Sequence, residues 1–144
     1  MPEQPIPAVW EDRPAWSKFR FLWLFAFIAA LRAVVRLWLG ETESVLIYSG
    51  GAALFVAMVL FLRSGIHYRV TREGVYTTLG VRSRIELGIP IANIRSVEIE
   101  QDPMDRFFGI GTVVLHLKEG ERSQERIKGI KNPEIVYNKI KALL

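Results

Sequence analysis

Cysteine is absent from the chain. Disulfides, thiolate metal sites and cysteine nucleophiles are therefore excluded, and cysteine usage says nothing about redox compartment. Histidine is nearly absent too: His67 and His116 are the only two, in segments that read as different strands. A metal centre would need both to converge with a carboxylate, because such sites take three or four ligands. Two ordinary strand residues are the plainer reading. No Ser-His-Asp spacing, glycine-rich phosphate loop or nucleotide motif is present, and Gly109-x-Gly111 is too short to count as one. No catalytic residue, cofactor site or metal site is assigned, and an enzyme is not expected.

Charge is missing from one long stretch. Val45–Leu62 (VLIYSGGAALFVAMVLFL) carries none, and Phe19–Leu39 is nearly as apolar. A helix needs roughly 20 mostly apolar residues to cross the hydrocarbon layer of a bilayer. Both runs reach about that length, and only Gly40 to Ser44 separates them, so the sequence predicts a two-helix membrane hairpin. A cleaved signal peptide fits the first run poorly. The run is too long for a signal core, it carries Arg32 and Arg36, and its small pair Ala29-Ala30 lies inside it rather than after it.

Orientation is read from lysine and arginine. Arg13, Lys18 and Arg20 precede the first run; Arg63, Arg69 and Arg72 follow the second; the turn holds Glu41 and Glu43 and no base. Both termini are therefore expected on the cytoplasmic side of the cell (inner or plasma) membrane. Trp16, Trp23, Trp38 and Tyr48 lie near the run ends, where aromatic belts form.

The rest of the 144 residues changes character. From Arg63 onward there are 14 Lys and Arg against 10 Asp and Glu, a surplus equal to the whole net charge of +4. Short strands are expected at Ile66–Thr71, Val75–Leu79, Val81–Leu87, Ile94–Gln101, Gly111–Lys118 and Arg122–Ile130, with Gly88 to Pro90 breaking the third. Glu119-Gly120 reads as a hairpin turn. Asn132, Pro133 and Glu134 form a helix start, after which Val136, Ile140 and Leu143 recur at helical spacing. Such a helix could plug the open end of a small curved sheet. The expected organisation is an N-terminal segment over 1–18, a two-helix transmembrane hairpin over 19–62 and a cytoplasmic, mainly β domain over 63–144.

The charged half resembles the bacterial pleckstrin-homology-like (PH domain) family of membrane proteins. The resemblance runs across most of Tyr68–Leu144. It is carried by Tyr68-Arg69-Val70-Thr71, Gly80 with Arg82 and Arg84, Ile89-Pro90-Ile91 leading to Ile94 and Val97, Gln101 leading into Asp105 to Thr112, and Gly129 to Glu134. The most specific piece is Arg106-Phe107-Phe108-Gly109-x-Gly111. What the resemblance implies is a curved antiparallel sheet or split barrel with a C-terminal capping helix, often preceded by pairs of membrane helices. It implies no shared catalytic residues.

Several residues invite both a functional and a plain reading. Arg32 and Arg36 share one face of the first helix. They form a candidate intramembrane polar site, pairing with Glu41 or Glu43 or holding a lipid phosphate; snorkelling with local pairing is favoured. Gly50-Gly51-Ala52-Ala53 could bring two helices close, in one chain or between copies. Asp105, Arg106, Phe107 and Phe108 form a candidate interaction loop that could enter a bilayer interface. The favoured alternative puts one phenylalanine in the core while the Asp-Arg pair closes a turn. Arg63, Arg69, Arg82 and Arg84 are candidate lipid-facing bases, and Arg95, Lys128 and Lys131 extend the set, but Glu86, Glu98 and Glu100 interrupt it. No phosphoinositide pocket is matched. Nucleic acid is not expected, since no binding motif accompanies the charge.

The expectation is a non-enzymatic integral membrane protein presenting a PH-like module to a protein partner, with a homo-oligomer as one form of partner. The alternatives are a sensor of anionic lipid or, more remotely, a subunit of a membrane enzyme or transporter using Arg32 and Arg36.

Overall fold

A computed structural model describes residues 7–81, 85–120 and 122–144, with Ile85 described by its backbone alone. Arg82 and Arg84 lie outside the described residues. The chain divides into a helical unit, Phe19–Ser64, and a β unit built from both flanks, Met1–Lys18 and Gly65–Leu144.

In the helical unit, α1 (Arg20–Trp38) and α2 (Thr42–Ser64) are joined by a turn through Gly40. The segments Trp16–Trp38 and Thr42–Ser64 are each 23 residues, long and apolar enough to cross a membrane. Only 11% and 6% of their most apolar windows are buried. A core helix of a water-soluble domain would bury most of such a surface. What the two helices do bury is the seam between them, at Ala26, Ala33 and Val59, with Phe25 stacked on Phe55 at 5.8 Å between ring centroids. Gly50 and Gly51 take no part in a close approach: a Cβ at either would meet nothing within 4 Å.

The β unit has two antiparallel sheets. Sheet A runs β1-β2-β3-β4, formed by Trp10–Asp12, Ile66–Val70, Gly74–Leu79 and Ile85–Pro90. Sheet B runs β5-β6-β7, formed by Ile94–Glu100, Ile110–Leu117 and Gln124–Lys131. A short α3 (Pro103–Phe107) joins β5 to β6, and α4 (Pro133–Leu143) ends the chain. Alternation supplies the core: Val70, Val75, Ile94, Val113, Leu115, Ile127 and Ile130 are sealed between the sheets. Val136 and Ile140 of α4 reach the same core, so the last helix does cap it.

Two features depart from the sequence expectation. Gly88 to Pro90 do not break the third strand; they are its second half. Tyr76 stands opposite Gly88 in the register and its ring covers that position, where a Cβ would lie 2.8 Å from a ring carbon. Pro90 is tolerated because β4 is an edge strand that needs no donor on its outer side. The N-terminal segment is also part of the β unit. Trp10, Glu11 and Asp12 pair with Val70, Arg69 and Tyr68 of β2, the Ala15 N–H donates to the Gly129 carbonyl at 2.7 Å, and Pro14 is fully buried.

Candidate interaction site

Two surfaces of the β unit stand out, and the first is built around α3. Asp102 starts the helix by accepting from the Asp105 N–H at 2.6 Å, with Pro103 in the first turn. Gln101 donates from Nε2 to the Ile110 carbonyl at 2.8 Å, which pins the base of the segment to β6. On the other side the Asn132 N–H donates to the Gly109 carbonyl at 3.0 Å. Stretches that are far apart in sequence, Gln101 to Gly109 and Asn132 to Ile135, thereby meet around a cleft of about 360 Å³. Asn132 stands at the N-cap of α4 with φ 51°, but its side chain makes no capping bond.

The loop corrects an expectation. Neither phenylalanine fills the core: Phe107 is 83% exposed and Phe108 43%, and Met104 beside them is 57% exposed. The two rings pack edge to face at 5.3 Å between centroids. The physical reason is the capped turn of helix, which lifts Phe107 and Phe108 off the end of the sheet. Ile110 and Val113 occupy the buried positions that follow.

The second surface is the outer edge of sheet A. β1 covers the free side of β2, whereas among the described residues β4 pairs only with β3. Beside β4 lies a cleft of about 420 Å³, walled by Leu87 to Pro90 on one side and by Leu117, Glu119, Arg122 and Glu125 on the other. Asn93 holds the far wall in place. Its amide donates to the Glu119 carbonyl at 3.1 Å and its Oδ1 accepts from the Glu119 N–H at 3.2 Å.

The remaining sequence-singled residues are dispersed. Arg36 pairs with Glu41 in the hairpin turn, and Ser44 donates to the same carboxylate at 3.4 Å. Arg32 is exposed on the helix flank. Arg69 is tied to Glu11 of β1 at 3.5 Å, and Arg63 belongs to the helical unit. His67 is on β2; His116 is on β6, with Nε2 3.2 Å from Glu98. Among the described residues no group of three His, Asp or Glu is placed to hold a metal ion. Tyr68 joins the two sheets: it is buried, and its hydroxyl donates to the Lys128 carbonyl at 3.0 Å. Burial pushes its pKa up to about 12. Sequence reasoning missed β1 and the link that Tyr68 makes between the sheets, since nothing local marks either.

Two sheets closed by a terminal helix and preceded by two long apolar helices are the architecture that the sequence resemblance implied. A profile of the bacterial PH domain family matches residues 14–144. The chain belongs to the bacterial PH domain family. The match to this family takes in the helical hairpin as well as the β unit, leaving only the first 13 residues outside it. Bacterial PH domains are not known as enzymes. No curated protein and no solved structure is significantly similar to this one.

Proposed function

We propose that this bacterial PH domain protein is a non-enzymatic, membrane-anchored binding module that docks a protein partner along β4. The carrying observation is the asymmetry of sheet A: one outer edge is covered by the chain's own β1, the other lies open beside an apolar cleft. An unpaired strand edge offers main-chain hydrogen bonds to an extended segment, and a neighbouring cleft offers pockets for alternate side chains. Leu87, 42% exposed, and Ile89 supply the apolar contacts.

The anchor reading rests on two supports. The helices expose the apolar surface that a bilayer would cover. Trp10–Asp12, which precedes the first helix, pairs with Tyr68–Val70, which follows the second. A single sheet cannot be assembled from both sides of a membrane, so two crossings return the chain to the side it left. The basic flanks and the base-free turn make that side cytoplasmic.

A photo-crosslinking residue at Leu87 in intact cells tests the docking edge. A discrete protein adduct is expected there and not with the same residue at Glu73, on the exposed β2–β3 turn. Absence of protein adducts, or adducts to lipid alone, rejects partner docking at β4. A cysteine introduced at Glu43 should react with an impermeant thiol reagent from outside the cell, and one at Lys118 should not.

A further inference from the structure

The exposed apolar side chains of the β unit are not evenly spread. Met104, Phe107 and Phe108 crowd one short helix at one end of sheet B, where β6 begins and β7 ends. The same end is where the chain passes to and from the hairpin. Ile110, just after α3, pairs with Lys131. Two residues earlier, Gly129 adopts φ 71° and presents its bare Cα to the Lys18 side chain, which leaves no room there for a Cβ. Lys18 is the last residue of the β unit before the helical unit begins at Phe19. Tyr68 bonds to Lys128, one residue further back, and β2 starts only two residues before Tyr68 at Ile66, directly after α2 and Gly65. At a strand rise of about 3.4 Å per residue, the root of the aromatic tip lies roughly 7 Å along β7 from the Lys18 contact.

We infer that the Met104–Phe107–Phe108 tip inserts into the interfacial layer of the bilayer that anchors the chain. Phenylalanine beside a base suits that layer, with the ring at the acyl boundary and the charge among headgroups. Arg106 stands between the aromatics and Met104, and Lys128 and Lys131 are exposed at the same strand end. Asp102 and Asp105 offset much of this positive charge within the tip itself. Apolar burial therefore dominates, and insertion needs no anionic lipid. This inference rests on α1 and α2 being membrane spans, and not on β4 being a docking edge.

The absence of cysteine makes the test direct. Three single-cysteine variants of the full chain in nanodiscs, Phe107→Cys, Leu54→Cys and Gln124→Cys, carry a spin label whose accessibility to oxygen and to an aqueous nickel chelate reports depth. Leu54 lies within α2, and Gln124 opens β7 at the opposite end of sheet B. In phosphatidylcholine discs the label at 107 should sit about 5–10 Å into the interface. The label at 54 should sit deeper and that at 124 should stay in water. The depth at 107 should be unchanged by added phosphatidylglycerol. A label at 107 as wet as that at 124, with 54 in lipid, overturns the insertion alone. A label at 107 shielded from both oxygen and nickel marks a protein contact and also overturns it. A label at 54 outside lipid overturns the anchor reading and the insertion together. Circular dichroism matching the parent chain shows that each variant is folded, as expected for Phe107, which is 83% exposed.

Discussion

In the β unit Leu115, Ile127, Val136 and Ile140 are sealed from solvent, while in the helical unit Phe27, Val34, Leu46 and Leu54 lie open along the helix flanks. Both regions are rich in apolar residues and differ in where these point. The sheets alternate inward and outward positions and hide one set. The helices are apolar nearly all round and hide only a seam. One chain thus carries two burial patterns, and the change between them falls within a residue of Gly65. The same mutation should therefore have opposite importance in the two halves.

The sharpest way to break this comparison is Ile140→Ala. Ile140 is fully buried where α4 meets the sheets, and truncation there should cost the β unit about 2–5 kcal/mol in urea unfolding. Leu54→Ala, on an open flank of α2, should leave the same midpoint unmoved. Equal losses from both would mean that the hairpin is a second water-excluding core.

Next in size is a pH effect confined to the β unit. The Tyr68 phenol ionises near its ordinary value of 10.0 in the unfolded chain and only near 12 in the folded one. The folded state thus keeps its proton across that interval. The resulting stability is complete below pH 10 and is lost as the pH climbs towards 12, by about 2–3 kcal/mol. Lysines titrate over the same range, so the comparison is with Tyr68→Phe, whose alkaline slope should be shallower. Identical slopes would show that the buried hydroxyl is not what titrates.

A smaller loss, about 1–3 kcal/mol, is expected from Thr71→Val. The Thr71 hydroxyl is buried and accepts from the N–H groups of Glu73 and Gly74 at 3.3 and 3.2 Å, which shapes the β2–β3 turn. Valine keeps the volume and leaves both donors without that acceptor. Hydrogen exchange at these two amides should quicken if the hydroxyl holds the turn.

The smallest effect belongs to the hairpin. Arg36 and Glu41 are each more than a third exposed, and such pairs contribute about 0–1 kcal/mol. Arg36→Gln should barely shift the thermal loss of helicity in detergent. A large shift would mark the pair as a lock on the hairpin turn.

Much of this architecture was legible in the residues, because its signals are long or periodic. The apolar runs, the alternation through Val113 and Leu115 and the helical spacing of Val136, Ile140 and Leu143 each involve many positions that agree. The misses share a different cause. Trp10–Asp12 is a strand only because β2 lies beside it, and three residues carry no pattern of their own. Gly88 and Pro90 are local strand breakers that a facing Tyr76 and an open edge overrule. One of Phe107 and Phe108 was expected in the core because hydrophobicity states a preference and not a location. Asp102 followed by Pro103, a helix-start pair, was the available signal that a turn of helix would lift them away.

The pairing of β1 with β2 also bears on how the protein is made. Trp10–Asp12 emerges from the ribosome well before its neighbour strand, with the whole hairpin between them. At ~5–20 residues per second, that interval is on the order of several seconds. Throughout it the early strand waits without a partner while the two apolar helices are being made. Closing the sheet edge is then a late step of biogenesis, open only once both helices and the strand beyond them have emerged.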